Sequence, residues 1–266
     1  TLFRSDCRFD LADASFGRRA YADSHLPGAF FLDLEEDLSG PKSGFNGRHP
    51  LPDPARLSAR LAACGVGKGS QVVAYDDAGG MSAARLWWLL RWLGHTRVAV
   101  LDGGWPAWKA AAMPVEDTPP QAASATSFAG QPDWKQVVTT ATIATQLETR
   151  GAAILVMDAR TRERFRGDAE PIDPVAGHIP NAINVPLVDN LDRNGRFKDP
   201  AALHALYAPA LAGRPASDVA AMCGSGVTAC LNLLAMEIAG LQGGRLYAGS
   251  WSEWIRDPGR PVATGD

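Results

Sequence analysis

The 266-residue sequence predicts an α/β protein built as two copies of one domain, each a mainly parallel sheet flanked by helices. Three observations carry that prediction. Short apolar runs alternate with longer helical patterns, the signatures of the first half return in the second in the same order, and a stretch without apolar period lies between them. In the first copy, Asp53-Pro54 reads as an N-cap and first-turn proline of a helix that Gly65 stops. Residues 72–75 then read as a strand, and residues 82–92 as a helix ended at Gly94. In the second copy, residues 154–157 form a strand and Asp199-Pro200 opens a helix to Leu211. Residues 219–222 form the next strand, residues 228–239 a helix before Gly240, and residues 245–247 a last strand. Strands that alternate with helices are joined by crossovers, which makes the sheets parallel and covers both faces.

The repeat fixes the domain plan. Asp6-Cys7-Arg8 returns as Asp158-Ala159-Arg160, and His25-Leu26-Pro27-Gly28-Ala29 returns as His178-Ile179-Pro180-Asn181-Ala182. Further on, Gly103-Gly104-Trp105-Pro106-Ala107-Trp108 is matched by Gly249-Ser250-Trp251-Ser252-Glu253-Trp254. A spacing of roughly 150 residues is too long for a solenoid and denotes two domains. Residues 113–132, rich in Pro, Ala, Ser and Thr, read as the link between them. The boundaries are set at 1–115 for the first domain, 116–135 for the linker and 136–266 for the second.

Composition excludes several classes of function. With 46 % apolar and 21 % charged residues and a formal charge of −3, the chain has no basic footprint for nucleic acid or anionic lipid. No apolar run approaches the roughly 18 residues of a membrane span. Four cysteines without a regular framework point to a reducing compartment, and the expected location is the cytoplasm. The partner is expected to be a small molecule. No cluster of Cys and His at zinc-ligand spacing occurs, and neither metal nor organic cofactor is expected.

The most telling segment is Cys223-Gly224-Ser225-Gly226-Val227-Thr228-Ala229-Cys230. Its first cysteine stands at the end of a strand and before a helix, where ligands bind in open parallel sheets. Gly224 and Gly226 let the backbone curl with N–H groups inward, and the helix adds its positive end, so an anion at the centre is stabilised. This suits a sulfur nucleophile, since the thiolate is the attacking form. Cys230, two helical turns on, reads as core, and Cys7 and Cys64 as structural. A cysteine phosphatase would need an arginine at position 229, which is alanine, and no Cys-x-x-Cys pair supports thiol–disulfide exchange.

Taken together, the two-fold repeat, the Asp-Ala-Arg, Gly-His-Ile-Pro and Gly-Ser-Trp-Ser-Glu-Trp signatures and the Cys223 loop resemble the tandem rhodanese-type sulfurtransferases, in particular the 3-mercaptopyruvate sulfurtransferases. The resemblance implies that Cys223 takes sulfur from a donor, holds it as a persulfide, and passes it to a thiol or cyanide, with thioredoxin a candidate acceptor. It also implies a first domain that keeps the fold without the nucleophile, and here the corresponding loop begins with Asp76. Ser225, His49 and Asp33 match a Ser-His-Asp relay of that family, suited to protonating the enolate left when mercaptopyruvate loses sulfur. Gly224, Gly226, Val227 and Thr228 would surround the transferred sulfur. Arg164 matches the arginine that holds the donor's anionic group, a task for which a planar guanidinium is suited. The mercaptopyruvate enzymes carry a second arginine nine residues on, where this chain has Asp173, as thiosulfate-preferring relatives do. The neutral Gly224-Ser225 favours mercaptopyruvate, while Asp173 favours thiosulfate. The alternatives are a thiosulfate:cyanide sulfurtransferase and a persulfide carrier loaded by a protein. His178 repeats His25 of the half without a cysteine and is read as serving the fold; Trp87, Trp88, Trp92 and Trp254 are read as packing residues.

Overall fold

A computed structural model describes residues 2–121, 126–149 and 153–266. The chain divides into two compact units, one formed by Thr1–Gly40, Leu51–Asp133 and Asn194–Arg196, the other by Pro41–Pro50, Trp134–Arg193 and Phe197–Asp266. The segment Pro41–Pro50, which carries His49, thus counts with the second unit although it comes early in the sequence.

The first unit contains β1 (Leu2–Asp6), α1 (Phe16–Asp23), β2 (Ala29–Phe31), α2 (Pro54–Ala63), β3 (Gln71–Tyr75), α3 (Ala83–Trp92), β4 (Val98–Val100) and α4 (Gly104–Ala110). The four strands form a parallel sheet in the order β2-β1-β3-β4. Asp53 caps α2 through its side chain, which accepts from the Arg56 N–H, and Pro54 follows without a donor to lose. Helix α3, Ala-Ala-Arg-Leu-Trp-Trp-Leu-Leu-Arg-Trp, is apolar nearly all round because nine of its ten residues are buried.

The second unit contains α5 (Thr140–Glu148), β5 (Leu155–Asp158), α6 (Arg162–Arg166), β6 (Ile183–Asn184), α7 (Pro200–Leu211), β7 (Val219–Met222), α8 (Ala229–Ile238), β8 (Arg245–Leu246) and α9 (Ser250–Trp254). Its parallel sheet runs β6-β5-β7-β8, the same order by position as in the first unit. All four residues of β7 are buried, as expected of a central strand covered on both faces. Its core gathers Val156, Ala220, Met222, Tyr247, Trp251 and Trp254.

The repeated signatures do the same work twice. Arg8 and Arg160 each fork onto the aspartate two residues earlier, Asp6 and Asp158, and each guanidinium lies over a tryptophan, Trp105 at 4.5 Å and Trp251 at 4.6 Å. The two histidines also match. His25 Nδ1 bonds the Tyr21 carbonyl at 2.7 Å with the rings stacked, and His178 Nδ1 bonds the Phe165 carbonyl at 2.8 Å with the rings stacked. Both are fold residues, as the repeat predicts. The described part of the expected linker runs along the first unit: Glu116 bridges His25 through paired backbone bonds, Thr126 bonds the Val66 carbonyl, and Asp133 N–H bonds the Trp92 carbonyl. Residues 122–125 of that linker lie outside the described residues.

Candidate active site

In the second unit, β7 delivers Cys223 directly to a loop that ends at α8. Both backbone groups of the cysteine are held, its N–H donating to Ser250 Oγ at 3.1 Å and its carbonyl accepting from the Trp251 N–H at 3.0 Å. Its sulfur accepts the Gly226 N–H at 3.1 Å. The loop therefore closes on the thiol. Gly226 has φ 78°, and a Cβ there would stand 2.3 Å from the Ala248 carbonyl oxygen, so the turn requires glycine on both counts. Val227 is buried, and Thr228 occupies the N-cap position of α8. The ten-residue helix directs its positive end at the loop.

Next to the cysteine, Ser225 Oγ lies 2.8 Å from His49 Nδ1, and both residues are buried. The resemblance puts these two in one relay, and their side chains meet across 176 positions of sequence. The segment that brings His49 is pressed against the start of α9: a Cβ on Gly47 would stand 2.6 Å from the Gly249 carbonyl oxygen, and the Arg48 N–H donates to Ser252 Oγ at 3.0 Å. Asp33 belongs to the first unit, where its carboxylate accepts the N–H groups of Glu35 and Glu36 and meets Arg18 at 3.3 Å.

Arg164 is fixed by carboxylates. Its Nε lies 3.0 Å from both oxygens of Glu170, and its Nη2 lies 2.8 Å from Glu170 and 3.0 Å from Asp173. Burial works to raise the Glu170 carboxyl, but the hydrogen bonds from Arg164 and from the Asp173 and Ile172 N–H groups outweigh it and hold the carboxyl below its ordinary value. Asp173 also pairs with Arg48 through its other oxygen. A Cβ on Gly224 would stand 2.7 Å from Arg48 Nη2 and 3.5 and 3.6 Å from Arg164 Nη2 and Nη1. The space beside this glycine is where the two guanidinium groups meet. Sequence reasoning chose Gly224 for room around the sulfur, and the structure gives it a further reason.

Two residues at this site were missed. Arg48 sits directly before His49 in the segment already singled out, and that adjacency was the available signal. Ser250 adopts φ 53°, a left-handed conformation rare for serine, so that its hydroxyl can accept from Cys223 and donate to the Tyr247 carbonyl. Its counterpart in the repeat is Gly104 at φ 51°, and a glycine answered by a serine was the sign of a special position. Of the remaining cysteines, Cys230 donates its thiol to the Gly226 carbonyl of the same loop at 3.5 Å, and Cys7 and Cys64 belong to the first unit. Cys7, Cys64 and Cys230 are buried, and burial pushes the thiols of Cys7 and Cys64 up, which disfavours their thiolates. Among the described residues no group of side chains is arranged to hold a metal, and no helix is long and apolar enough to cross a membrane.

Comparison with known proteins bears out the two-domain fold. The model of the rhodanese-like domain matches residues 4–111 and again residues 140–257. A probable 3-mercaptopyruvate sulfurtransferase of Pseudomonas aeruginosa is 54 % identical over 263 residues, covering 98 % of this chain and 92 % of that protein. A putative thiosulfate sulfurtransferase of Mycobacterium tuberculosis is 42 % identical, covering 98 % of this chain and 90 % of its own length. Among solved structures, SseA of Escherichia coli, a 3-mercaptopyruvate sulfotransferase, superposes with a TM-score of 0.78 at 29 % identity, covering 95 % of this chain and 93 % of that one.

Proposed function

This chain belongs to the rhodanese-like family, with two copies of its domain and the sulfurtransferase class of enzyme, and from that premise we propose that it moves sulfur from 3-mercaptopyruvate to a thiol or cyanide through a persulfide on Cys223. The observation that carries the reading is a thiol closed into a loop that offers it an N–H, with a Ser225–His49 pair at its side. In the first step the Cys223 thiolate attacks the donor's sulfur. A sulfur–sulfur bond forms, the donor's carbon–sulfur bond breaks, and its electron pair remains on carbon as the enolate of pyruvate. A proton delivered to that carbon completes pyruvate, and the Ser225 hydroxyl, bonded to His49, is the group suited to pass it. Asp33 keeps within this proposal the relay role that the resemblance gives it. In the second step an acceptor thiolate or cyanide attacks the outer sulfur, the sulfur–sulfur bond breaks, and Cys223 leaves as thiolate. The outer sulfur of the persulfide carries negative charge, which inward N–H groups and the end of α8 stabilise.

Arg164 is the proposed anchor for the donor's carboxylate, held in position by Glu170. Four free cysteines and a thiolate intermediate suit a reducing compartment, and the cytoplasm is the proposed location. Intact mass after exposure to 3-mercaptopyruvate tests the reading. The expected result is a gain of one sulfur atom on the wild type, removed by added thiol or thioredoxin, with no gain on Cys223→Ser. If pyruvate release persists in Cys223→Ser, the nucleophile is elsewhere. If neither 3-mercaptopyruvate nor thiosulfate loads the protein but a cysteine desulfurase does, it is a carrier.

A further inference from the structure

We propose that Arg48 is the second donor-binding cation of this site and that Asp173, rather than opposing an anionic donor, is the residue that fastens Arg48 beside Arg164. The inference rests on the sulfurtransferase reading for the identity of the donor and on geometry for the rest. Asp173 is a bridge: one oxygen pairs with Arg48 and the other with Arg164 at 3.0 Å, while its side chain is only 3 % exposed. The two arginines come from places 116 residues apart in the numbering, and a buried carboxylate between them is the simplest way to hold two like charges side by side.

What each arginine leaves unused is the decisive point. Arg48 spends Nη1 on Asp173, while its Nη2 lies 2.7 Å from where a Cβ on Gly224 would stand and its buried Nε has no hydrogen-bond partner among the described residues. Arg164 spends Nε and Nη2 on Glu170 and Asp173, and its Nη1 faces the same side of Gly224. Arg160, the third guanidinium of the cluster, is spent on Asp158, Glu170 and the Gly177 carbonyl. Carboxylates and guanidinium groups are thus balanced in number among Arg48, Arg160, Arg164, Asp158, Glu170 and Asp173. Recognition here works through directed N–H groups from two forks and not through net charge. A planar carboxylate one residue from the nucleophile is the ligand such a pair suits, as in an α-oxo acid whose sulfur is to reach Cys223.

The arrangement also accounts for Gly224. Any side chain there would take up the space in which the forks converge, since the first atom would already stand 2.7 Å from Arg48. A specificity device assembled this way has a distinctive signature, because the cation sits on the segment that also carries the proton-relay histidine. Binding the donor's carboxylate would draw on the same segment that delivers His49 to Ser225.

The test separates donor binding from turnover by alkylating Cys223 with iodoacetate, which carries a carboxylate, and with iodoacetamide, its neutral counterpart. Peptide mass analysis scores modification at Cys223 alone. In Arg48→Gln the iodoacetate to iodoacetamide rate ratio is expected to fall at least about threefold, with Arg48→Lys intermediate because it keeps the charge and loses the fork. In turnover, Arg48→Gln is expected to raise KM for 3-mercaptopyruvate by about tenfold, with the effect on KM exceeding that on kcat. A ratio equal to wild type in both variants, or a loss confined to kcat, overturns the proposal. A protein that turns over no sulfur donor yet shows the change in ratio would sink the sulfurtransferase reading and leave the arginine assignment standing.

Discussion

The two units carry the same loop with different atoms at its centre, and the contrast explains what each is for. In the first unit, Asp76 directly follows β3 as Cys223 directly follows β7. Its carboxylate accepts four backbone N–H groups, from Ala78 and Gly80 on one oxygen and Ser82 and Ala83 on the other, at 2.8 to 2.9 Å. The Trp105 N–H binds the Asp76 carbonyl at 2.8 Å, as the Trp251 N–H binds that of Cys223 at 3.0 Å. The first loop is a cradle filled by the chain's own anion. In the second, a single sulfur occupies the centre and takes one N–H, from Gly226. The same backbone device that satisfies a structural carboxylate in one unit surrounds a thiol in the other, where the proposed function has it hold the anionic persulfide.

The largest effect is expected from making the second loop resemble the first. Cys223→Asp should abolish sulfur transfer, by more than about 10³-fold in kcat/KM, because the proposed nucleophile is gone and a carboxylate fills its place. Residual turnover above that level, measured by pyruvate release, would break the comparison. Next in size is the reverse experiment. Asp76→Ala strips the acceptor from four N–H groups and should cost the first unit about 3 kcal/mol in urea unfolding, while Cys223 still takes up sulfur from the donor. A variant as stable as wild type would show that the cradle does not depend on its anion. The smallest effect concerns acid. Because Glu170 is held below its ordinary value of 4.5 in the folded chain, its contribution to stability is present above that pH and is lost as pH falls below it through the lower folded value. Glu170→Gln should therefore flatten the fall in stability in that acid range, as followed by tryptophan fluorescence, and an unchanged acid limb would count against the assigned pairing.

Much of the fold was legible because local chemistry marks its elements. Asp53-Pro54 and Asp199-Pro200 start helices where the caps are observed, with Asp199 accepting from Ala202 as Asp53 does from Arg56. The strand 219–222 was bounded by the cysteine itself, and its observed limits are the same. The site was legible where it lies in one run of sequence, and Ser225 with His49 through resemblance. The Arg48–Asp173 pair was not, since it joins positions 125 apart and neither residue carries a local signal for the other. In the sequence only the charge of Asp173 is visible, and it counts against carboxylate binding; its buried position between two guanidinium groups is a property of the fold, and it is what the proposal for Arg48 rests on.

The left-handed backbone at Ser250 has a consequence for evolution. Glycine is the easier residue for that geometry, and the first unit has it at Gly104, whereas the second unit holds a serine whose hydroxyl accepts the Cys223 N–H. Under the proposed function that hydroxyl is what the strained turn provides, and a domain of this kind released from sulfur chemistry would have no reason to keep serine there.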